Sequence, residues 1–200
     1  GGFGAPQELG YDPVFNDARV VSELGTQYPV TKLDIQQYMN GRALTHTPGT
    51  TYAYSNYGFM LAGLVIEAAT GWSYGAHADS VLNPIGIYDA RLSRTQKHRQ
   101  YQNEAEYWSG FTGPSVMDSS GQQLPWEYGA LNYENNAAYG GWTLSMMELV
   151  RWLANLDDPA ASSALLDADS LDEMFALPEN WAGAYNPGDY FYSSGWGVRD

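Results

Sequence analysis

The longest apolar stretch of the chain covers residues 57–70 (YGFMLAGLVIEAAT), in which Glu67 is the only charged side chain. Its length favours a helix over a strand, and Gly71 follows it as a typical helix stop. Because apolar residues occur all round this helix, the pattern predicts that it is buried on every side.

Further helices are indicated by residues that cap helix N-termini and by the capping-box spacing, in which a Ser or Thr is followed three residues later by an acidic residue. The predicted helices run from Thr31 to Gly41, from Ser73 to about Leu82, over Met146–Leu156, from the box Ser170–Glu173 to about Leu177, and, as a short helix, around Val14–Leu24.

The remaining segments have a weaker pattern. Residues 89–136 alternate between polar and aromatic residues without a period, which predicts an irregular excursion. Residues Tyr190–Val198 have a strand-like composition that is interrupted at Gly195. The chain is therefore predicted to be mostly helical, with at most one good strand.

Composition narrows the function classes. Of the 200 residues, 44% are hydrophobic and 14% aromatic, which is enough for a packed core. The formal net charge of −14 repels phosphate backbones and anionic lipid, so nucleic acid and membrane surfaces are not expected as partners. No apolar run reaches the length of a membrane span. A chain that starts at Gly1 without Met reads as a processed or excised piece.

Several kinds of chemistry find little support. Without cysteine there is no disulfide, thiolate nucleophile or cysteine-based zinc site. His46, His77 and His98 lie too far apart for a metal-binding helix motif, and no glycine-rich phosphate loop follows a strand. Neither a metal nor a cofactor is predicted.

One short motif suggests a nucleophile. Residues 71–75 (GWSYG) match the G-x-S-x-G elbow of α/β-hydrolases, with Ser73 as the nucleophile. That elbow requires a strand before the serine, whereas a helix is predicted there. The interpretation stays open as an alternative that a strand before Gly71 would support.

Residues 48–67 (PGTTYAYSNYGFMLAGLVIE) contain a Tyr-x-Asn triplet, Tyr54-Ser55-Asn56, between a Pro-Gly-Thr turn and the long apolar helix. This order resembles the second motif of the serine β-lactamase and penicillin-binding-protein superfamily, in its class C, esterase and D-aminopeptidase branch. Later segments resemble the same family in the same order: 83–87 (NPIGI), 139–145 (YGGWTLS), 165–174 and 194–197 (SGWG).

The resemblance implies a fold as well. The family has an antiparallel sheet flanked by helices and a separate helical domain. This chain is then a mainly α fragment of an α+β fold, in which 1–139 is the helical domain carrying Tyr-x-Asn and 140–200 belongs to the sheet half. Both would be parts of one larger catalytic unit.

Two of the family's motifs are not found in the sequence. The nucleophile is the serine of Ser-x-x-Lys. The sequence has two lysines, Lys32 and Lys97, and the residues three positions before them are Pro29 and Arg94 rather than serine. The third motif, Lys-Thr-Gly or His-x-Gly, is expected beyond Asp200. The resemblance therefore places the nucleophile outside this chain and predicts that the chain alone is inactive.

Roles for three residues follow from the resemblance. Tyr54 would accept the proton of the nucleophilic serine and pass it to the leaving group. Asn56 would donate its amide to the acyl-side carbonyl of the substrate, and Tyr139 would line the pocket. The substrate would be a small-molecule or peptide acyl compound such as a β-lactam, a peptide or an ester, hydrolysed through an acyl-enzyme.

A non-catalytic binding relative of the same fold is the other alternative. The family also suggests a secreted or periplasmic location. Because the strand Tyr190–Val198 would have both edges unpaired, the chain is expected to associate with a complementary fragment of the same protein or with itself.

Overall fold

A computed structural model describes residues 12–50, 52–157, 165–178 and 188–199. The α-helices are α1 (Asp17–Leu24), α2 (Lys32–Met39), α3 (Asn56–Thr70), α4 (Tyr74–Leu82), α5 (Met146–Asp157) and α6 (Ala168–Phe175). The strands are β1 (Arg91–Leu92), β2 (Thr112–Pro114), β3 (Gln123–Pro125), β4 (Trp142–Thr143), β5 (Tyr190–Tyr192) and β6 (Gly197–Arg199). Short 3₁₀ turns cover Pro13–Phe15, Asn83–Ile85, Lys97–Arg99, Trp126–Tyr128 and Tyr133–Ala138.

Two predicted capping boxes form with both of their hydrogen bonds. At α2, the Asp34 amide donates to Thr31 Oγ1 at 3.2 Å and the Thr31 amide donates to Asp34 Oδ2 at 2.8 Å. At α5, the Glu148 amide donates to Ser145 Oγ at 3.2 Å and the Ser145 amide donates to Glu148 Oε2 at 3.1 Å. Both helices therefore begin where the sequence predicts, because the orphan amides of the first turn find local acceptors.

The third predicted box, Ser170–Glu173, is wrong. Helix α6 begins three residues earlier, at Ala168, because Asp167 rather than Ser170 caps it by accepting from the Ser170 amide at 2.8 Å. Aspartate is as good an N-cap as serine, and Asp167 precedes Ser170 by about one helical turn. The helix also ends at Phe175 rather than at Leu177.

The first predicted helix divides into two elements. Asp12 caps the 3₁₀ turn Pro13–Phe15, and α1 begins only at Asp17. Asn16 lies between them in a non-helical conformation, with φ −125° and ψ 55°. The helix predicted around Val14–Leu24 is therefore not continuous, because a break at Asn16 separates its first residues from α1.

The long apolar helix forms as predicted, and the described part of the chain covers it on one side only. Ser55 caps α3 by accepting from the Gly58 amide at 3.0 Å, and Gly71 ends it with φ +71°. Only one stripe of α3 is buried, formed by Tyr57, Met60 and Gly63, whereas Val65 is 65% exposed. The helix packs through this stripe and leaves its opposite face uncovered.

Two apolar clusters form the core. The larger joins the Pro13–Phe15 turn, α1 and α2 to α3, and its buried members are Val14, Val20, Val30, Ile35, Tyr38, Met39, Tyr57 and Met60. The smaller follows α4 and contains Ile85, Ile87 and Ala90, with Leu82, Trp142, Trp152 and Leu165 packed against it.

The strands form three antiparallel pairs, β1–β4, β2–β3 and β5–β6. The strands are few and short, in agreement with the predicted fold class. Strands of two or three residues are too short to show an alternating pattern in the sequence. Tyr190–Val198 is largely a hairpin: Phe191 pairs with Val198, and Gly195 lies between the strands with φ +89°. Its two strands pair with each other, which corrects the expectation of two unpaired edges.

The predicted division at residue 139 stays a prediction. Strand β1 precedes that boundary in the sequence and β4 follows it, and the two strands pair through Arg91 opposite Thr143 and Leu92 opposite Trp142. Within the described ranges, none of the helices has the length and apolar character needed to cross a bilayer.

Candidate active site

The Tyr-x-Asn triplet lies at the beginning of α3. Ser55 is the N-cap, so Tyr54 precedes the helix and Asn56 is its first residue. The Tyr54 side chain is 45% exposed, and its ring meets the Tyr192 ring edge-on, with centroids 6.0 Å apart and an interplanar angle of 71°. The cap therefore fixes the backbone at the point where the phenol meets solvent.

The β5–β6 hairpin brings further tyrosines to this point. The Tyr52 and Tyr192 rings lie 6.1 Å apart. Burial, and then the neighbouring phenols, raise the pKa of both Tyr52 and Tyr192 above the ordinary value. We call Tyr52, Tyr54, Tyr190 and Tyr192 the tyrosine cluster. Tyr54, the candidate proton acceptor, thus has the phenols of Tyr52, Tyr190 and Tyr192 in its surroundings.

Asn56 is fixed by a residue that sequence reasoning missed. Its Nδ2 donates to Asp12 Oδ2 at 2.8 Å, and Asp12 Oδ1 accepts from the Val14 amide at 3.1 Å. One carboxylate thus caps the Pro13–Phe15 turn and orients the Asn56 amide. The Asp12-Pro13 pair is a sequence signal for such a cap, but it does not predict the contact across 44 positions.

Tyr139 lies at the end of the Tyr133–Ala138 turn and packs against the larger apolar cluster. Its ring meets the Phe15 ring edge-on at 6.2 Å. The hydroxyl is buried and has no hydrogen-bond partner among the described residues. Burial first, then the charges of Asp12 and Asp17, raise the pKa of Tyr139 well above its ordinary value. Tyr139 is therefore better suited to forming a wall of the site than to transferring a proton.

Asp17 is a buried acid beside this group that the sequence did not single out. Its side chain is 4% exposed, and Oδ2 has no partner in the described part of the chain. Burial raises the pKa of Asp17 to about 7, against a lowering contribution from the Asn132 side chain. Buried Asp17 and the partly buried Asp12, Asn56 and Tyr139 thus form a polar group behind the start of α3.

Both lysines are engaged in ion pairs. Lys32 Nζ lies 2.9 and 3.0 Å from the two carboxylate oxygens of Glu67, eleven residues along α3 from Asn56, or about 16 Å along the helix axis. Lys97 lies 3.3 Å from Glu106 and stacks over Tyr128. Neither side chain is placed beside the Tyr54 phenol.

The elbow interpretation of Ser73 is wrong. Helix α3 precedes it, and the Ser73 hydroxyl caps α4 by accepting from the Ala76 amide at 3.2 Å. A nucleophile elbow needs a strand at that position, so the α/β-hydrolase alternative is excluded. Among the residues that the structure describes, no three His, Asp or Glu side chains converge in a way that could hold a metal ion.

Several solved structures share the fold of this chain. The chain superposes on a penicillin-binding protein from Bacillus halodurans with a TM-score of 0.60 and 14% identity, covering 94% of this chain and 53% of that one. A D-stereospecific amidohydrolase from Streptomyces sp. gives 0.53 and 22%, covering 87% and 47%. A D-amino acid amidase from Ochrobactrum anthropi SV3 gives 0.53 and 24%, covering 82% and 45%. The chain thus spans about half of each structure.

The family model described as Beta-lactamase matches residues 4–200, and the chain therefore belongs to this family. The predicted resemblance and the predicted fold class, a helix-rich portion of a β-lactamase-like fold, are confirmed. A search of curated protein sequences finds no match to the chain.

Proposed function

We propose that the protein carrying this chain is a serine hydrolase that acts on β-lactam, peptide or ester substrates through an acyl-serine intermediate. The nucleophile lies outside these 200 residues. One observation supports this most directly: the half-exposed Tyr54 phenol and the oriented Asn56 amide flank a single N-cap, inside a chain of the Beta-lactamase family.

Tyr54 would take the proton of the serine and return it to the leaving group. A free phenol has a pKa of about 10, so it needs nearby positive charge to act as a base at neutral pH. Lys32 and Lys97 are held in ion pairs with Glu67 and Glu106. The required cation is therefore supplied from outside the described residues.

Asn56 and Tyr139 complete the proposed site. Asn56 uses one of its two Nδ2 protons for the hydrogen bond to Asp12. The second Nδ2 proton can be donated to a substrate carbonyl, and the amide oxygen can accept from a nearby donor. Tyr139 forms the wall behind it. The exposed rings of Tyr52 and Tyr190 favour a substrate with an aromatic or apolar acyl group.

The test uses a fluorescent penicillin or fluorophosphonate, followed by denaturing electrophoresis and mass spectrometry of the adduct. The complete protein should be labelled on the serine of a Ser-x-x-Lys segment, and the 200-residue chain alone should not react. In the complete protein, Tyr54→Phe should slow acylation by roughly 10²–10⁴-fold while folding is kept, because only a general base is removed.

Tyr52→Phe is the matched control, since it removes a hydroxyl of similar exposure from the same cluster. Labelling should continue at nearly the wild-type rate. Equal rates for Tyr54→Phe and wild type would show that the triplet takes no part in the chemistry, and an adduct on Ser73 would refute the proposal outright.

A non-catalytic relative of the same fold is the second candidate. The engagement of both lysines away from Tyr54 favours it. It requires that the complete protein lack Ser-x-x-Lys and remain unlabelled.

The proposed partner is a complementary fragment of the same protein or a second copy, because α3 leaves Phe59 and Val65 exposed. Light scattering of the purified chain should then show association, whereas a cooperatively melting monomer would contradict it. Export of the protein remains an expectation from the family resemblance.

A further inference from the structure

A pocket lies in the irregular part of the chain, and its lining does not include Tyr54, Asn56 or Tyr139. It has a volume of about 390 Å³ and opens between the loop around Trp108, the turn at Trp126 and the segment Gly140–Trp142. Its lining is dominated by aromatic rings, those of Tyr107, Trp108, Trp126, Tyr133 and Trp142. Three indoles in one pocket are far more than the average surface provides.

The loop that carries Trp108 is held firmly on both sides. The Tyr107 amide donates to the Tyr128 hydroxyl at 2.6 Å, and Ser109 donates to both oxygens of Glu127, from its amide at 2.6 Å and from its hydroxyl at 2.7 Å. The Trp108 side chain itself is nevertheless 97% exposed. A fixed backbone that presents a solvent-exposed indole is typical of a recognition residue.

The other walls are also anchored. Trp142 Nε1 donates to the Ala137 carbonyl at 2.9 Å, and the Trp126 ring packs on Phe111 with ring centres 5.2 Å apart. The Trp126 and Trp142 rings are therefore held by contacts within the protein, whereas Trp108 is held through its backbone neighbours only.

The polar groups of the lining are largely engaged by the protein. Glu127 uses both oxygens for Ser109, and the Ser93 hydroxyl is hydrogen-bonded to the Thr143 hydroxyl at 2.8 Å. A sugar needs several free donors and acceptors, and this lining offers few of them. The aromatic ring faces and the charged side chains of the lining remain available to bind a ligand.

The charge in the lining is negative. Glu104 and Glu127 both line the pocket, and within the described residues neither forms an ion pair. The hydrogen bonds from Ser109 hold the pKa of Glu127 below its usual value, so this carboxylate stays ionised. Arg94 is the one basic residue of the lining, and it donates to the Arg99 carbonyl at 2.9 Å and lies 4.3 Å from the Tyr101 ring centre.

We propose that this pocket binds a small organic cation of the alkylammonium class, held by cation–π contacts with Trp108 and Trp126 and by the carboxylates of Glu104 and Glu127. Indole is the best ring for such contacts, and aromatic cages are the usual way in which proteins recognise quaternary ammonium groups. The formal net charge of −14 also attracts cations to the surface. The site does not depend on the proposed hydrolase reaction.

The experiment titrates purified protein carrying this chain with choline, followed by calorimetry and by tryptophan fluorescence. The matched ligand is 3,3-dimethylbutan-1-ol, which has the shape of choline without its charge. Choline should bind at least about tenfold more tightly than the neutral alcohol. Trp108→Ala and Trp126→Ala should each weaken choline binding by about three- to thirtyfold, and Glu104→Gln by a smaller factor.

Trp72→Ala is the control, because Trp72 is 54% exposed but lies between α3 and α4. It should leave choline affinity unchanged, and circular dichroism checks that every variant is folded. Equal affinity for choline and the alcohol would show an apolar pocket and overturn the proposal. So would binding of methyl glucoside in place of choline, or the absence of choline binding up to about 50 mM.

Discussion

Residues 12–90 and 91–143 are stabilised in opposite ways. In the described part of the first region, the buried hydrophobic side chains include all eight of the larger cluster and Ile85, Ile87 and Ala90, and Asp17 is the one buried polar side chain. In the second region, Ala137 is the one buried hydrophobic side chain. Its buried polar side chains are Thr95, Ser115, Glu127, Asn132, Asn135 and Asn136.

Carboxylates and amides replace the apolar core in the second region. Glu134 accepts from the Thr95 amide and from Arg99, each at 3.0 Å, and Glu127 holds Ser109. Asn132 and Asn135 both donate to the Val30 carbonyl, at 2.9 and 2.8 Å, and so attach this region to the first. A segment without hydrophobic periodicity can therefore still have a defined structure when buried polar groups replace missing strand partners.

The largest effect is expected in the apolar region. Ile35→Ala removes a fully buried side chain of α2 and should lower the free energy of unfolding by about 2–5 kcal/mol, because a cavity remains. Urea unfolding followed by circular dichroism measures this loss. Leu33→Ala, on the same helix but 64% exposed, should change stability by no more than about 0.5 kcal/mol. Equal losses for the two variants would contradict an apolar core at this position.

Asp17, the one buried polar side chain in the described part of residues 12–90, predicts a pH-dependent stability. Because burial raises its pKa from 3.8 to about 7, its protonated form stabilises the fold fully below pH 3.8, and this stabilisation is lost as the pH rises to about 7. Asp17→Asn imitates the neutral acid. Its stability advantage over wild type should grow between pH 5 and 7 and level off near roughly 4 kcal/mol at most.

Thermal melts at several pH values measure this difference, and Asp79→Asn, at an exposed position of α4, serves as the control. A constant difference between Asp17→Asn and wild type from pH 5 to 8 would mean that Asp17 is ionised in the folded protein throughout that range.

A smaller and more local effect is expected in the polar region. Glu127→Ala leaves the Ser109 amide and hydroxyl without their acceptor, which should destabilise by about 1–3 kcal/mol. Hydrogen exchange at residues 107–110 should accelerate while α2 and α3 keep their protection. Glu127→Gln retains one acceptor and should lose less. Faster exchange throughout the larger apolar cluster would show that the two regions unfold as one.

Much of the helical region could be predicted, because its signals are local. The capping boxes at Thr31 and Ser145 and the apolar run before Gly71 each depend on a few neighbouring residues. The box at Ser170 failed for the same local reason, since Asp167 offers an equally good cap. The short strands could not be predicted, because two or three residues give no period.

The candidate site divides in the same way. The sequence predicted that the triplet lies directly before the long apolar helix, since the two are contiguous, and the structure makes Ser55 the N-cap and Asn56 the first helical residue. It could not predict that Asp12 orients Asn56, that Tyr192 meets Tyr54, or that the Tyr139 hydroxyl is buried. Those contacts join positions 44 to more than 100 residues apart, and local propensity carries no information about them.

The sequence by itself determined the family, most helix starts and the position of the Tyr-x-Asn triplet next to the long apolar helix, because motif order and capping depend on neighbours along the chain. Only the tertiary structure decided which face of α3 is buried, how Asp17 comes to hold its proton near neutral pH, and how three indoles gather around one pocket. Burial and desolvation depend on what surrounds a side chain in space, and that follows from the packing of the whole chain.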